Sequence, residues 1–109
     1  MSIKTITPQE LKNKIDNKEK IVIIDCREPY EWEKNHIPKS LLIPSTKIET
    51  EFKKAGNPKS ELIVYCQSGA RSIPACFTFL NNGYESVATL EGGINKWIAS
   101  GGEVTKEKK

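Results

Sequence analysis

The chain has 109 residues, 17 basic and 14 acidic, for a formal charge of +3 at neutral pH. That length suits one compact domain and leaves no room in it for a second. So small and interspersed a charge surplus argues against a nucleic-acid or membrane-surface partner, and no apolar run approaches the ~20 residues that span a bilayer.

The opening residues lack the apolar stretch of a signal peptide, so the expected location is the cytoplasm. Thr7-Pro8-Gln9-Glu10 is a strong helix start, with Thr7 as cap, Pro8 at the first helical position and Glu10 closing a capping box. Ile21-Val22-Ile23-Ile24-Asp25 is a β-branched run, as in a strand buried on both faces. Pro29 opens a short helix to Lys34. Leu41-Leu42-Ile43 is a shorter strand stopped by Pro44. Thr46 and Glu49 predict a second capping box, and Gly56 suits the helix end. Leu62-Ile63-Val64-Tyr65 is the other strong buried strand. From Ser72 to Asn82, Ile73, Phe77 and Leu80 recur at helical spacing. Val87–Leu90 is a strand, and Gly92-Gly93 opens a last helix ended by Gly101-Gly102. Strand and helix alternate four or five times, which predicts a three-layer α/β/α fold. It has about five mostly parallel strands with helices on both faces.

In such sheets ligands sit beyond the carboxyl ends of the strands. Two loops there carry chemistry, one after Ile24 and one after Tyr65. In the second, Cys66-Gln67-Ser68-Gly69-Ala70-Arg71-Ser72 joins a buried strand directly to a helix. Its residues are small or short, so the backbone can curl with its N–H groups inward, and Gly69 tolerates positive φ. Gln67, Ser68, Gly69 and Ala70 then offer chiefly backbone donors, and Ser72 is expected to cap the helix. The helix amino end and the Arg71 charge both favour thiolate over thiol at Cys66, which makes it the candidate nucleophile. Such a cradle would hold an anionic sulfur substrate or a persulfide. Of 15 lysines and two arginines, only Arg27 and Arg71 offer a planar fork of donors. Arg27 and Glu31, four apart, could pair. Three cysteines and a single histidine in an unsecreted chain suggest neither a disulfide framework nor a zinc site. Cys26 and Cys76 are expected to be packing residues.

The chain resembles a single-domain rhodanese. Cys66 to Ser72 matches the loop Cys-x-x-Gly-x-Arg-Ser of that family. Asp25-Cys26-Arg27-Glu28-Pro29-Tyr30-Glu31 resembles its Asp-x-Arg-x-x-x-Glu stretch. His36-Ile37-Pro38 and Ile43-Pro44 resemble its Gly-His-Ile-x-Gly-Ala…Ile-Pro stretch, with Asn35 and Lys39-Ser40 departing from the pattern. Leu90-Glu91-Gly92-Gly93-Ile94-Asn95-Lys96-Trp97 is the third signature. The resemblance implies a rhodanese domain over residues 1–104, followed by a disordered tail over 105–109.

It also implies a sulfurtransferase reaction that needs no metal or organic cofactor. A small anionic sulfur donor such as thiosulfate loads Cys66 as a persulfide, and cyanide, a thiol or a protein acceptor takes the sulfur. Residues 67–72 would bind the donor, Arg71 most directly. Asp25 and Arg27 would support the pocket, and His36 would be structural. One alternative is a persulfide carrier or interaction module that delivers sulfur to a specific protein. The other is a phosphatase or arsenate reductase of the same fold. Cell-cycle phosphatases place five residues between Cys and Arg, whereas Cys66 and Arg71 enclose four.

Overall fold

The computed structural model describes residues 3–106. Five parallel strands form one sheet: β1 (Lys4–Ile6), β2 (Ile21–Asp25), β3 (Leu41–Leu42), β4 (Glu61–Tyr65) and β5 (Ser86–Leu90). Their order is β1-β5-β4-β2-β3. The helices are α1 (Pro8–Asp16), α2 (Pro29–Lys34), α3 (Ile48–Glu51), α4 (Ser72–Asn81) and α5 (Gly93–Ala99), and a 3₁₀ turn, Phe52–Ala55, extends α3.

Strand alternation divides the core into two layers. On one face Ile24, Val64 and Val87 meet Ala75, Cys76, Phe79 and Leu80 of α4, together with Ile48 of α3. On the other face Ile23, Ile63, Tyr65 and Leu90 meet Leu11 of α1 and Ile94 and Trp97 of α5. This is the three-layer arrangement predicted from the strand–helix alternation. β2 and β4 lie side by side, yet the chain leaves β2 toward β3 and leaves β4 toward β5. The crevice at their carboxyl ends is therefore the topological switch point.

The first capping box forms as predicted: Glu10 N–H donates to Thr7 Oγ1 at 3.1 Å, and Thr7 N–H donates to Glu10 Oε1 at 2.9 Å. The second does not. Helix α3 starts at Ile48 with no side-chain cap, because the Thr46 hydroxyl turns instead to Glu28 Oε2. β1 was not apparent in the sequence, being three residues at a sheet edge with one buried side chain. The turn where the family has Gly-Ala is made here by Lys39 in a left-handed conformation, φ +68°. Thr105 was expected in the disordered tail, but it is paired with His36. His36 N–H donates to Thr105 O at 2.9 Å, and Thr105 N–H donates to His36 O at 2.8 Å. Lys106 is exposed, and residues 107–109 of that expected tail lie outside the described residues. Among the described residues, no helix is long and apolar enough to cross a membrane.

The apolar stripe of α4 also differs from its spacing in the sequence. Ile73 and Phe77 are 45% and 49% exposed, whereas Phe79 is fully buried. The helix turns its Ala75-Cys76-Phe79-Leu80 face to the sheet instead. Phe79→Ala should therefore cost about 3–5 kcal/mol, while Phe77→Ala should stay within about 0.5 kcal/mol. Urea denaturation of both variants checks the pair, and equal losses would show that the helix is rotated from this placement.

Candidate active site

Cys66 stands at the end of β4, where the strand stops and the chain turns into α4. Its backbone carbonyl does not face the cavity. Cys66 O accepts from Ile94 N–H at 2.9 Å, and Gln67 O accepts from Asn95 N–H at 3.1 Å. The amino end of α5 thus uses two of its otherwise unsatisfied donors to hold the start of the loop. With the start of the loop held in this way, the chain curls back so that a later amide reaches the sulfur. Gly69 N–H donates to Cys66 Sγ at 3.1 Å, and Gly69 has φ +112°, which an L side chain rarely adopts. Gly93, from the third motif, is required by the same contact. A Cβ there would lie 2.5 Å from both Cys66 O and Gln67 O.

The Cys66 sulfur is buried, and its pKa is held down to about 5. The largest cause is the Cys26 thiol beside it, acting as a donor toward the thiolate. Burial works in the opposite direction. The Gly69 amide and both the amide and hydroxyl of Ser72 lower the value further. Cys26 is pushed the other way, first by that same thiolate and then by burial. Sequence reasoning missed this role for Cys26, since a cysteine at the end of an apolar strand looks like packing. The signal was in the pattern, however: Cys26 and Cys66 each follow the last residue of one of the two strongest strands. Cys76 is buried in α4 and its thiol is raised to about 12, first by desolvation and then by the Cys66 charge.

Three expectations for the remaining site residues need correction. Ser72 is not the helix cap. Arg71 occupies that position without a side-chain cap, and the Ser72 hydroxyl contacts Gly69 O at 3.2 Å and Thr89 Oγ1 at 2.6 Å. Arg27 does not pair with Glu31. It is 1% exposed and its fork grips Asp25, with Nη2–Oδ2 2.7 Å and Nε–Oδ1 3.0 Å. It also donates to Asn35 O at 2.6 Å and to Gln67 Oε1 at 3.1 Å, and its charge lies 5.7 Å from the centre of the Tyr65 ring. Gln67 therefore contributes its side chain as well as its backbone, bridging Arg27 to Asn95 of α5.

Glu31 belongs instead to Arg71. The pair is bidentate, Nη1–Oε1 2.8 Å and Nη2–Oε2 2.9 Å, and the guanidinium holds the Glu31 carboxyl down to about 2. It ties the helix after Cys66 to α2 across the mouth of the site. A recess of about 300 Å³ opens there, lined by Arg27, Tyr30, Glu31, Lys34, Asn35 and Gln67. His36 stacks on Trp32 with ring centres 3.4 Å apart, and its Nδ1 lies 2.8 Å from Trp32 O.

A family model described as "Rhodanese-like domain" matches residues 7–100. The chain belongs to the rhodanese-like domain family. It is 30% identical over 99 residues to a protein named sulfurtransferase from Allochromatium vinosum, covering 91% of this chain and 92% of that one. It is 36% identical over 94 residues to a probable adenylyltransferase/sulfurtransferase, MoeZ, from Mycobacterium tuberculosis, covering 85% of this chain but only 24% of that larger protein. A rhodanese-like domain protein from Staphylococcus aureus superposes with a TM-score of 0.85 at 29% identity, covering 97% of this chain and all of that one.

Two predictions follow from the site geometry. Alkylation of Cys66 by iodoacetamide should titrate with a midpoint near pH 5, and Cys26→Ala should move the midpoint upward by removing the main donor. An unshifted midpoint would show that the amides alone hold the thiolate. The folded value lies below that of an unfolded thiol, so ionisation of Cys66 stabilises the fold above the ordinary thiol range. That contribution is lost as pH falls toward 5. Second, Gly93→Ala should lower the melting temperature and slow Cys66 alkylation together, because the loop must yield to the new Cβ. A variant with normal alkylation and normal melting would show that the contact is slack.

Proposed function

We propose that this protein is a sulfurtransferase that carries sulfane sulfur on Cys66. The observation that carries the reading is a buried, low-pKa cysteine whose sulfur already accepts the Gly69 amide. The thiolate attacks the outer sulfur of a donor such as thiosulfate. A sulfur–sulfur bond forms at Cys66, the donor's own sulfur–sulfur bond breaks, and sulfite leaves with the electron pair. Residues 67–72 surround the persulfide, with inward amides for its negative charge. Arg71 spends two N–H donors on Glu31, which leaves other donors of its five for an anionic sulfur donor. Asp25 and Arg27 brace the loop and do not touch substrate. Cyanide, a small thiol or a protein thiol then takes the outer sulfur. The relatives named as sulfurtransferases support transfer in general, and thiosulfate as donor is the specific part of this reading.

Loop length favours sulfur over phosphate. Cys66 and Arg71 enclose four residues, so the cradle suits one added sulfur atom better than a phosphoryl group. Thiosulfate should add one sulfur atom to the intact mass, mapped to Cys66, and Cys66→Ser should abolish both that gain and thiocyanate formation. An aryl phosphate should be hydrolysed negligibly in parallel. Sulfur transfer that survives Cys66→Ser, or strong phosphatase turnover, would overturn the assignment.

A further inference from the structure

The register of the sheet places two cysteines face to face. β2 and β4 pair Ile24 with Val64 and Asp25 with Tyr65, and Cys26 N–H donates to Tyr65 O at 3.0 Å. Cys26 and Cys66 are thus the next positions across the ladder. Alternation puts both side chains on the face of Ile24 and Val64, and all four residues share one core cluster. Cα atoms on adjacent strands lie roughly 5 Å apart, inside the ~4.4–6.8 Å range that a disulfide needs. Both thiols are buried and free. An acceptor arriving from solvent meets the outer sulfur of a loaded Cys66 first. Cys26, in the core layer beside it, is placed to reach the inner one.

We propose that Cys26 is a resolving thiol: once Cys66 carries a displaceable group, Cys26 attacks Cys66 Sγ, closes an intramolecular disulfide and expels that group. On a persulfide, which rests on the function proposed above, the new bond joins Cys26 to Cys66 and the bond to the outer sulfur breaks. That sulfur leaves as hydrosulfide with the proton of Cys26. Two cysteines are oxidised by one electron each, and one sulfane sulfur is reduced to sulfide. A dithiol reopens the disulfide, so the cycle becomes dithiol-driven release of sulfide from the donor. On an oxidised site the sequence is parallel and independent of sulfur transfer. Hydrogen peroxide converts the thiolate to a sulfenic acid, and Cys26 displaces its oxygen as water.

The resting site keeps this reaction silent. The Cys66 thiolate is the main reason that Cys26 stays protonated. An adduct on Cys66 removes that charge from the inner sulfur, and Cys26 becomes a competent nucleophile only when there is something to displace.

The test compares wild type with Cys26→Ala at about pH 9.5, above the ordinary thiol range, and only protein whose intact mass shows the added sulfur is followed. Each protein is treated with thiosulfate, freed of donor and left without acceptor, while sulfide is trapped with a bimane and intact mass is followed. Wild type should release one equivalent of sulfide and end two hydrogens lighter than its reduced form, with a peptide linking Cys26 to Cys66. Cys26→Ala should keep its extra sulfur at least about tenfold longer. In a second arm, unloaded wild type receives one equivalent of hydrogen peroxide and should give the same disulfide. A protein that takes no sulfur from thiosulfate but closes this disulfide with peroxide would sink the transfer reading and uphold the resolving thiol. A wild-type persulfide as durable as the variant's overturns the proposal, as does peroxide oxidation that leaves Cys26 unpaired or joins Cys66 to Cys76. The transfer reading stands in those cases.

Discussion

The site depends on two backbone hydrogen bonds that never touch the sulfur. Ile94 and Asn95 donate to the carbonyls of Cys66 and Gln67 and so decide which way the peptide units of the loop face. A peptide plane is rigid, so turning a carbonyl outward turns the next amide inward. The start of the cysteine loop is therefore anchored by a helix nearly thirty residues downstream, through the two peptide units ahead of the Gly69 amide that reaches the sulfur. The approach is close enough that position 93 admits no side chain. This gives the third sequence motif, remote from the cysteine in the chain, a direct physical task at the Cys66 loop.

A second constraint keeps that loop level with the crevice. Arg27 is a charge almost wholly removed from water, a placement that costs several kcal/mol unless every donor finds a partner. It finds the Asp25 carboxylate, the Asn35 carbonyl and the Gln67 side chain. These come from the end of β2, the end of α2 and the cysteine loop, so satisfying the charge locks three segments into one arrangement. The two arginines thereby take different parts. Arg27 is an internal strut, and Arg71 sits at the mouth clamped to Glu31. In a chain whose other cations are lysines, both positions call for a planar fork, since each guanidinium grips a carboxylate through two nitrogens.

The buried strands, the five helices and the cysteine loop were all legible in the sequence, because each rests on local chemistry: β-branched runs, Pro8 and Pro29 at helix starts, and glycines at positive φ. Cooperation between distant segments was not legible. Arg27 and Glu31 have the four-residue spacing of a helical pair, but α2 begins only at Pro29, and each finds its partner in tertiary contact or on the preceding strand. The Thr46–Glu49 box lost to a carboxylate on another element. Ile73 and Phe77 have the spacing of a buried stripe, yet α4 presents smaller residues to the sheet and Phe79 fills the layer. Cys26 was read as packing because its neighbour across the sheet is forty residues away in the chain, and only the register reveals it.

That register also changes the electrostatics of the Cys66 thiolate. Read from the sequence, Arg71 supplies the charge that stabilises the thiolate. In the fold that charge is engaged by Glu31 at bidentate distance, and the largest stabilisers of the thiolate are closer groups. Those are donors in contact with the sulfur, a thiol and amides and a hydroxyl, acting in a buried setting where dipoles are weakly screened. Contact donors of this kind are not displaced by salt as a surface charge is. In the function proposed above, an added sulfur on Cys66 would stay beside the donors that held the thiolate. A site built on short-range dipoles can thus carry negative charge on either of two sulfur atoms in turn, as a sulfur-transfer cycle requires.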